Sequence, residues 1–193
     1  MHVRGEFQVS SHNGVKAITL PYVGGEVAMA VLLPDSPAGL RRLERGLTGP
    51  DLIKQLRALD SAPARDTDLT LPRMHLQWRD DLVPALRALG AATAFGDYAD
   101  FSGIAVEPFP GEIEGAIGLK IKRVIHQSRL DVDEEGAEAA AATAAVTDVV
   151  VSGLRQGPAP FIFRADRPFL FLLYDRRTKL ILFIGRYVTP PAS

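Results

Sequence analysis

Residues 133–151 read Asp-Glu-Glu-Gly-Ala-Glu-Ala-Ala-Ala-Ala-Thr-Ala-Ala-Val-Thr-Asp-Val-Val-Val. No large apolar side chain occurs from Gly136 to Ala145. A helix here has only methyl groups to bury, so packing holds it weakly. Alanine nevertheless has the best helix propensity, and 137–145 is long enough for roughly two and a half turns. The other conformation is extended. Ala137, Ala139, Ala141, Thr143 and Ala145 then share one face, all small and uncharged, while Glu138 falls on the opposite face. A strand entering an existing sheet must bury a face without clashes or unpaired charge. The tract therefore reads either as a weak helix or as a loop able to become a strand.

The rest of the chain is globular in composition. Of its 193 residues 47% are hydrophobic and 23% charged, ordinary values for one domain, with or without a minor lobe. The net charge of −1 gives no electrostatic footing for nucleic acid or an acidic membrane surface. Cysteine is absent, which excludes disulfides, thiolate catalysis and thiolate metal sites. The first residues carry no apolar run of signal-peptide type. The longest apolar stretches, 169–174 and 180–185, are too short to cross a bilayer as a helix.

Hydrophobic periodicity predicts strands at 15–20 and 27–33, separated by a turn at Pro21–Gly25. Helical spacing follows at 40–47 and 51–59, with Gly49-Pro50 as a break. Residues 61–68 read as a polar loop, 68–78 as a strand kinked at Pro72, and 80–89 as a short helix ended by Gly90. Residues 118–132 read as one long strand with Val124, His126, Ser128, Leu130 and Val132 on one face. A further strand begins at Phe161. Residues 169–174 and 180–186 read as a buried hairpin turning at 175–178. The expected class is α+β, rich in strands, with two or three short helices.

No catalytic constellation emerges. His2, His12, His75 and His126 have no metal-ligand spacing. Nucleophile-elbow, phosphate-loop and dinucleotide motifs are missing. Ser102 sits in a turn without a neighbouring histidine. Glu134 and Glu135 are adjacent, so on a strand they point to opposite faces. The chain is not expected to be an enzyme, and no cofactor or metal is expected.

Several segments together resemble one family, the serpins, inhibitors of serine proteases with a mobile reactive loop. Asp133–Ala144 resembles the family's hinge, Phe163–Leu173 its signature after the loop, Leu180–Arg186 its closing strand, and Val124–Gln127 the strand leading to the hinge. Leu20–Tyr22, Leu32–Asp35, Leu86–Gly90 and Ala99–Ile104 are similar to further family segments, in order along the chain. The resemblance covers the C-terminal half of a serpin. It implies a partial serpin domain over 1–193, lacking the N-terminal half of the fold, with an exposed reactive loop at about 134–160. It also implies a suicide-substrate inhibitor, cleaved in this loop and inserting its hinge as a strand. The hinge residues are Glu134, Glu135, Gly136, Ala137, Glu138, Ala139, Ala140, Ala141, Ala142 and Thr143, with Ala137 where the family usually has Thr or Ser.

Family spacing from Gly136 places the scissile bond at Val150-Val151, which suits an elastase-like protease. Leu154 or Arg155 would instead suit chymotrypsin-like or trypsin-like enzymes. His126 corresponds to a histidine that latches the sheet where it opens. A satisfied, half-buried strand histidine describes nearly the same residue. The family implies an extracellular setting, whereas the missing leader is compatible with the cytoplasm. The alternative reading is a non-inhibitory serpin-like binding protein or a truncated remnant, with exposed sheet edges allowing self-association.

Overall fold

The computed structural model describes residues 1–101, 103, 119–133 and 158–188. The chain divides into two compact units, one of residues 1–74 and 132–193 and one of 75–131. The larger is built on a seven-stranded sheet. Its strands are β1 (His2–His12), β2 (Val15–Pro21), β3 (Val27–Pro34), β4 (Ala64–Thr70), β7 (Phe161–Arg164), β8 (Phe169–Asp175) and β9 (Ile181–Tyr187). Their order across the sheet is β7-β4-β1-β2-β3-β8-β9. All neighbours are antiparallel except β4 and β7, which run parallel.

The centre of this sheet is buried on both faces. Register aligns Ala17 with Leu32 and Leu32 with Leu170, and aligns Ala28 with Tyr174. On that face the sheet packs with α1 (Gly39–Gly46) and α2 (Gly49–Asp60), through Leu40, Leu52, Leu56 and Leu59. The three α2 leucines follow helical spacing, and burial of each contributes roughly 1.5–3 kcal/mol. Ile18, Val31 and Phe171 are paired on the opposite face and are also buried. This two-sided burial explains the near-continuous apolar runs of β3 and β8.

Helix α2 starts earlier than the predicted break. Thr48 and Asp51 form a capping box: the Thr48 Oγ1 accepts from the Asp51 amide at 3.3 Å, and the Asp51 carboxylate accepts from the Thr48 amide at 3.4 Å. Pro50 sits in the first turn, where its missing N–H costs nothing. Gly49-Pro50 therefore opens a helix as well as separating two.

Strand β1 was not anticipated. Its signal is Asn13-Gly14: both residues have positive φ, 50° and 74°, in a two-residue turn between the paired His12 and Val15. That is the left-handed pair a tight hairpin needs. The predicted polar loop at 61–68 is mostly strand, because β4 pairs along β1 from Ala64 to Thr70. Its charged residues face partners such as Arg4, which donates to Asp66 at 2.8 Å. The single strand predicted over 68–78 is two strands of different sheets, divided at the Leu71–Arg73 break around Pro72. Proline cannot donate to a ladder.

The smaller unit holds β5 (Met74–Asp81), paired with β6 (Ile125–Val132) in a two-stranded sheet, together with α3 (Val83–Ala88) and a single 3₁₀ turn at Thr93–Phe95. Helix α3 ends before Gly90, whose φ of +99° is left-handed. The long strand predicted over 118–132 is shorter: β6 begins at Ile125, and 119–124 is not strand. Position 118 lies outside the described residues. The predicted alternation holds within β6, where Ser128, Leu130 and Val132 are more buried than their neighbours Gln127, Arg129 and Asp131.

Asp81 joins this unit together. Its Oδ1 accepts from the amides of Val83 at 3.1 Å and Val124 at 3.2 Å, and Arg123 donates to Oδ2 at 3.3 Å. These bonds, the two amides first, hold its carboxyl below the ordinary carboxylate value. A lowered carboxyl stabilises the fold above about pH 4 and loses that contribution as pH falls through its own value. Amide exchange at Val83 and Val124 is expected to accelerate in that acid window, and Asp81→Asn should remove the step. An unchanged acid profile in the variant would show that another group controls these amides.

The C-terminal hairpin also differs in detail. β8 is buried, but β9 exposes Leu182, Phe183 and Ile184 at 47, 42 and 56%. β9 is the terminal strand of the sheet, and among the described residues no strand pairs with its outer edge.

Candidate functional site

The hinge (Glu134, Glu135, Gly136, Ala137, Glu138, Ala139, Ala140, Ala141, Ala142, Thr143) lies outside the described residues, as do Val150, Val151, Leu154 and Arg155. Their two attachments are described, and both are built firmly.

Upstream, the tract is the direct continuation of β6. Val132 is buried at the end of that strand, and Asp133 is half-buried. The phenol of Tyr22 is raised above its ordinary value, by burial first and then by the negative charge of Asp133. The first residue of the resembling hinge thus acts electrostatically on the Leu20-Pro21-Tyr22 segment. β6 pairs with β5 on one edge, and among the described residues no strand pairs with its other edge. That edge keeps a row of backbone donors and acceptors available.

Downstream, the chain resumes at Pro158 and enters β7. Phe163 is fully buried. The ring of Phe161 lies under two cations, with Lys16 Nζ 5.6 Å and Arg65 Cζ 5.3 Å from its centroid. Lys16 Nζ also donates to the Ile162 carbonyl at 3.1 Å. The Ala165 amide donates to Thr70 O at 2.8 Å, and Arg167 Nε donates to Pro34 O at 2.8 Å. Backbone, aromatic and guanidinium contacts therefore fix the downstream end within the segment 161–167.

His126 lies on β6, as expected, but it is exposed rather than half-buried. Its ring meets that of Trp78 with centroids 5.6 Å apart and planes tilted by 55°. Trp78 is a contact that strand alternation did not single out. An aromatic on the neighbouring strand was its only signal.

Elsewhere on β5 and β6, His75 and Asp131 are 3.0 Å apart and Arg129 donates to Asp131 at 2.7 Å. Both bonds, that of His75 first, lower the Asp131 carboxyl. Among the described residues no group of three or more His, Asp or Glu side chains gathers in a way that would hold a metal ion. The described residues thus put the end of β6 upstream of the small-residue tract and the anchored strand β7 downstream of it.

Comparison with known proteins agrees with this layout. The family model described as Serpin (serine protease inhibitor) matches residues 1–190. Serpin B6 of Pongo abelii is 38% identical over 174 residues, covering 90% of this chain and 42% of its own length. Serpin B3 of Homo sapiens is 37% identical over 175 residues, covering 91% and 41%. Among solved structures, uncleaved ovalbumin superposes with a TM-score of 0.76 at 29% identity, covering 98% of this chain and 44% of ovalbumin. The chain thus spans less than half the length of these relatives.

Proposed function

The chain belongs to the serpin family, and from that premise we propose that it presents residues 134–157 as bait to a serine protease and traps the enzyme by strand insertion. The observation that carries this reading is that β6, the strand from which the small-residue tract continues, pairs on one edge only among the described residues. A segment joined directly to β6 folds back as its antiparallel neighbour. Ala137, Ala139, Ala141 and Thr143 then form a face that a sheet can bury without a charge.

In the proposed reaction the protease serine attacks the carbonyl carbon of Val150, and the Val151 amine leaves as the peptide bond breaks. An acyl-enzyme results. Insertion of the hinge beside β6 before water attacks this ester leaves the protease attached. The chain contributes no catalytic group; it contributes a bait bond and a conformational change. Val150 favours an elastase-like specificity pocket. Leu154 and Arg155 define the alternative bonds, and His126 stands on the strand that would receive the insert.

The second reading is a serpin-like chain that does not inhibit by itself. It is favoured by the exposed row Leu182, Phe183 and Ile184 on β9. Self-association, or another chain, would then cover the open edges. Incubation with an elastase-like serine protease separates the two. The first predicts a complex that survives SDS, with a new N-terminus at Val151 and a rise in melting temperature after loop cleavage. Complete cleavage with free, active protease and no thermal gain would establish the second. A new N-terminus at Arg155 or Gln156 would move the bait bond to Leu154 or Arg155.

A further inference from the structure

The larger unit contains a cavity of about 700 Å³ at the end of the β1–β2 hairpin, beneath α1 and α2. Its origin is local. Helix α1 has eight residues and buries only Leu40, while Leu43 and the following Leu47 stay half-buried against the cavity. On the sheet side Ala17 supplies only a methyl group. Leu32, Leu52, Leu56 and Leu59 complete an apolar floor. This volume lies within the range of small-molecule sites.

The rim is polar and electrically balanced. Arg42 and Asp35 are its fully charged groups, and His12 stands at the turn beside them. Among the described residues neither Arg42 nor Asp35 forms a side-chain ion pair. A charged ligand head would be attracted by one of these groups and repelled by the other, while still losing its hydration. Arg42 offers donors and Asp35 an acceptor to the same cavity, so an uncharged hydroxyl at the rim can accept from the one or donate to the other without meeting a like charge.

We propose that this cavity binds an uncharged, amphipathic small molecule: an apolar body against the leucine floor and a hydroxyl at the Arg42–Asp35 rim. The described residues that line it all fall between Ser10 and Leu59, and binding does not depend on inhibition.

A matched series tests it near pH 7: 1-naphthol, 1-naphthoate and 1-naphthylmethylammonium, titrated calorimetrically into the 193-residue chain. One naphthol should bind per chain with a Kd on the order of 100 µM, and each charged analogue about fivefold or more weakly. Gly46 lines the cavity and a Cβ there meets nothing within 4 Å, so Gly46→Phe should fold normally and weaken naphthol about tenfold. If its melting temperature falls, Leu43→Trp fills the space from the half-buried wall instead. Phe183→Ser, on the exposed row of β9, should leave binding unchanged. Tighter binding of either charged analogue would overturn the proposal. So would absence of saturation, or binding lost with Phe183→Ser and kept when the cavity is filled.

Discussion

Asp60→Ala is expected to lower the stability of the larger unit by about 3 kcal/mol, read as a shift in the urea midpoint at unchanged slope. Asp60 closes α2 and accepts from three side chains. Tyr174 donates its hydroxyl to Oδ1 at 2.9 Å, Arg176 Nε donates to Oδ1 at 3.1 Å, and Lys179 Nζ donates to Oδ2 at 2.5 Å. Lys179 also donates to the Arg176 carbonyl. The side chains of Asp60 and Lys179 are only 10 and 11% exposed. Removing the carboxylate leaves two cations facing each other with little water. The cost therefore exceeds that of a surface pair, which is about 0–1 kcal/mol.

The same network binds Gln8, which donates to the Asp60 carbonyl at 2.7 Å and accepts from Arg176 at 2.9 Å. Asp60 thus ties α2 to β1 through its backbone carbonyl and to the β8–β9 turn through its carboxylate. Asp60→Asn keeps one acceptor oxygen and is expected to lose less. If Asp60→Ala costs under about 1 kcal/mol, water or a shifted Lys179 must be replacing the pair.

Gly185→Ala should cost about 2–3 kcal/mol for the addition of one methyl group. Gly185 on β9 stands directly opposite Phe171 on β8. A Cβ built on it lies 2.3 Å from Cζ of that ring and 2.8 Å from Cε1. Phe171 is 4% exposed, so its ring cannot swing into solvent. Either the ring invades the core or β9 peels from β8. The aromatic ring lying across a bare glycine is a recognised way to fill the gap a glycine leaves in a sheet. Phe171→Leu removes the clashing Cζ, so the double variant should recover about 1 kcal/mol or more relative to additivity. Additive effects would show that the ring is not what excludes a side chain at position 185.

Several parts of this layout were legible from residues alone, for reasons that can be named. The leucines of α2 repeat at helical spacing, and β8 is apolar on both faces because both are buried. The Gly24-Gly25 turn has the positive φ that glycine allows, 88° and 71°. β1 was illegible by hydrophobicity because it is largely polar; its Asn13-Gly14 turn was the usable signal. β4 was hidden by its charges, which are paired across to β1 rather than solvated as a loop. The hinge and bait bond are expectations from the resemblance and from the pattern of small residues, and they lie outside the described residues. The downstream anchor was not legible: the cations over Phe161 come from Lys16 and Arg65, far away in sequence.

What the sequence by itself determined is local. It specified which segments have helical or strand periodicity, where glycine and proline end them, and that the alternate positions 137, 139, 141, 143 and 145 carry only small, uncharged side chains. These properties depend on neighbours along the chain, so they survive without knowledge of the fold. Only the tertiary structure decided which edges stay open. β8 and β9 are similar apolar runs, yet one has partners on both sides and the other on one. Among the described residues β6 pairs on one edge only, with β5, and Asp60 is a half-buried hub because three distant side chains converge on it. Burial and pairing are properties of the whole assembly of strands, and no single segment encodes them.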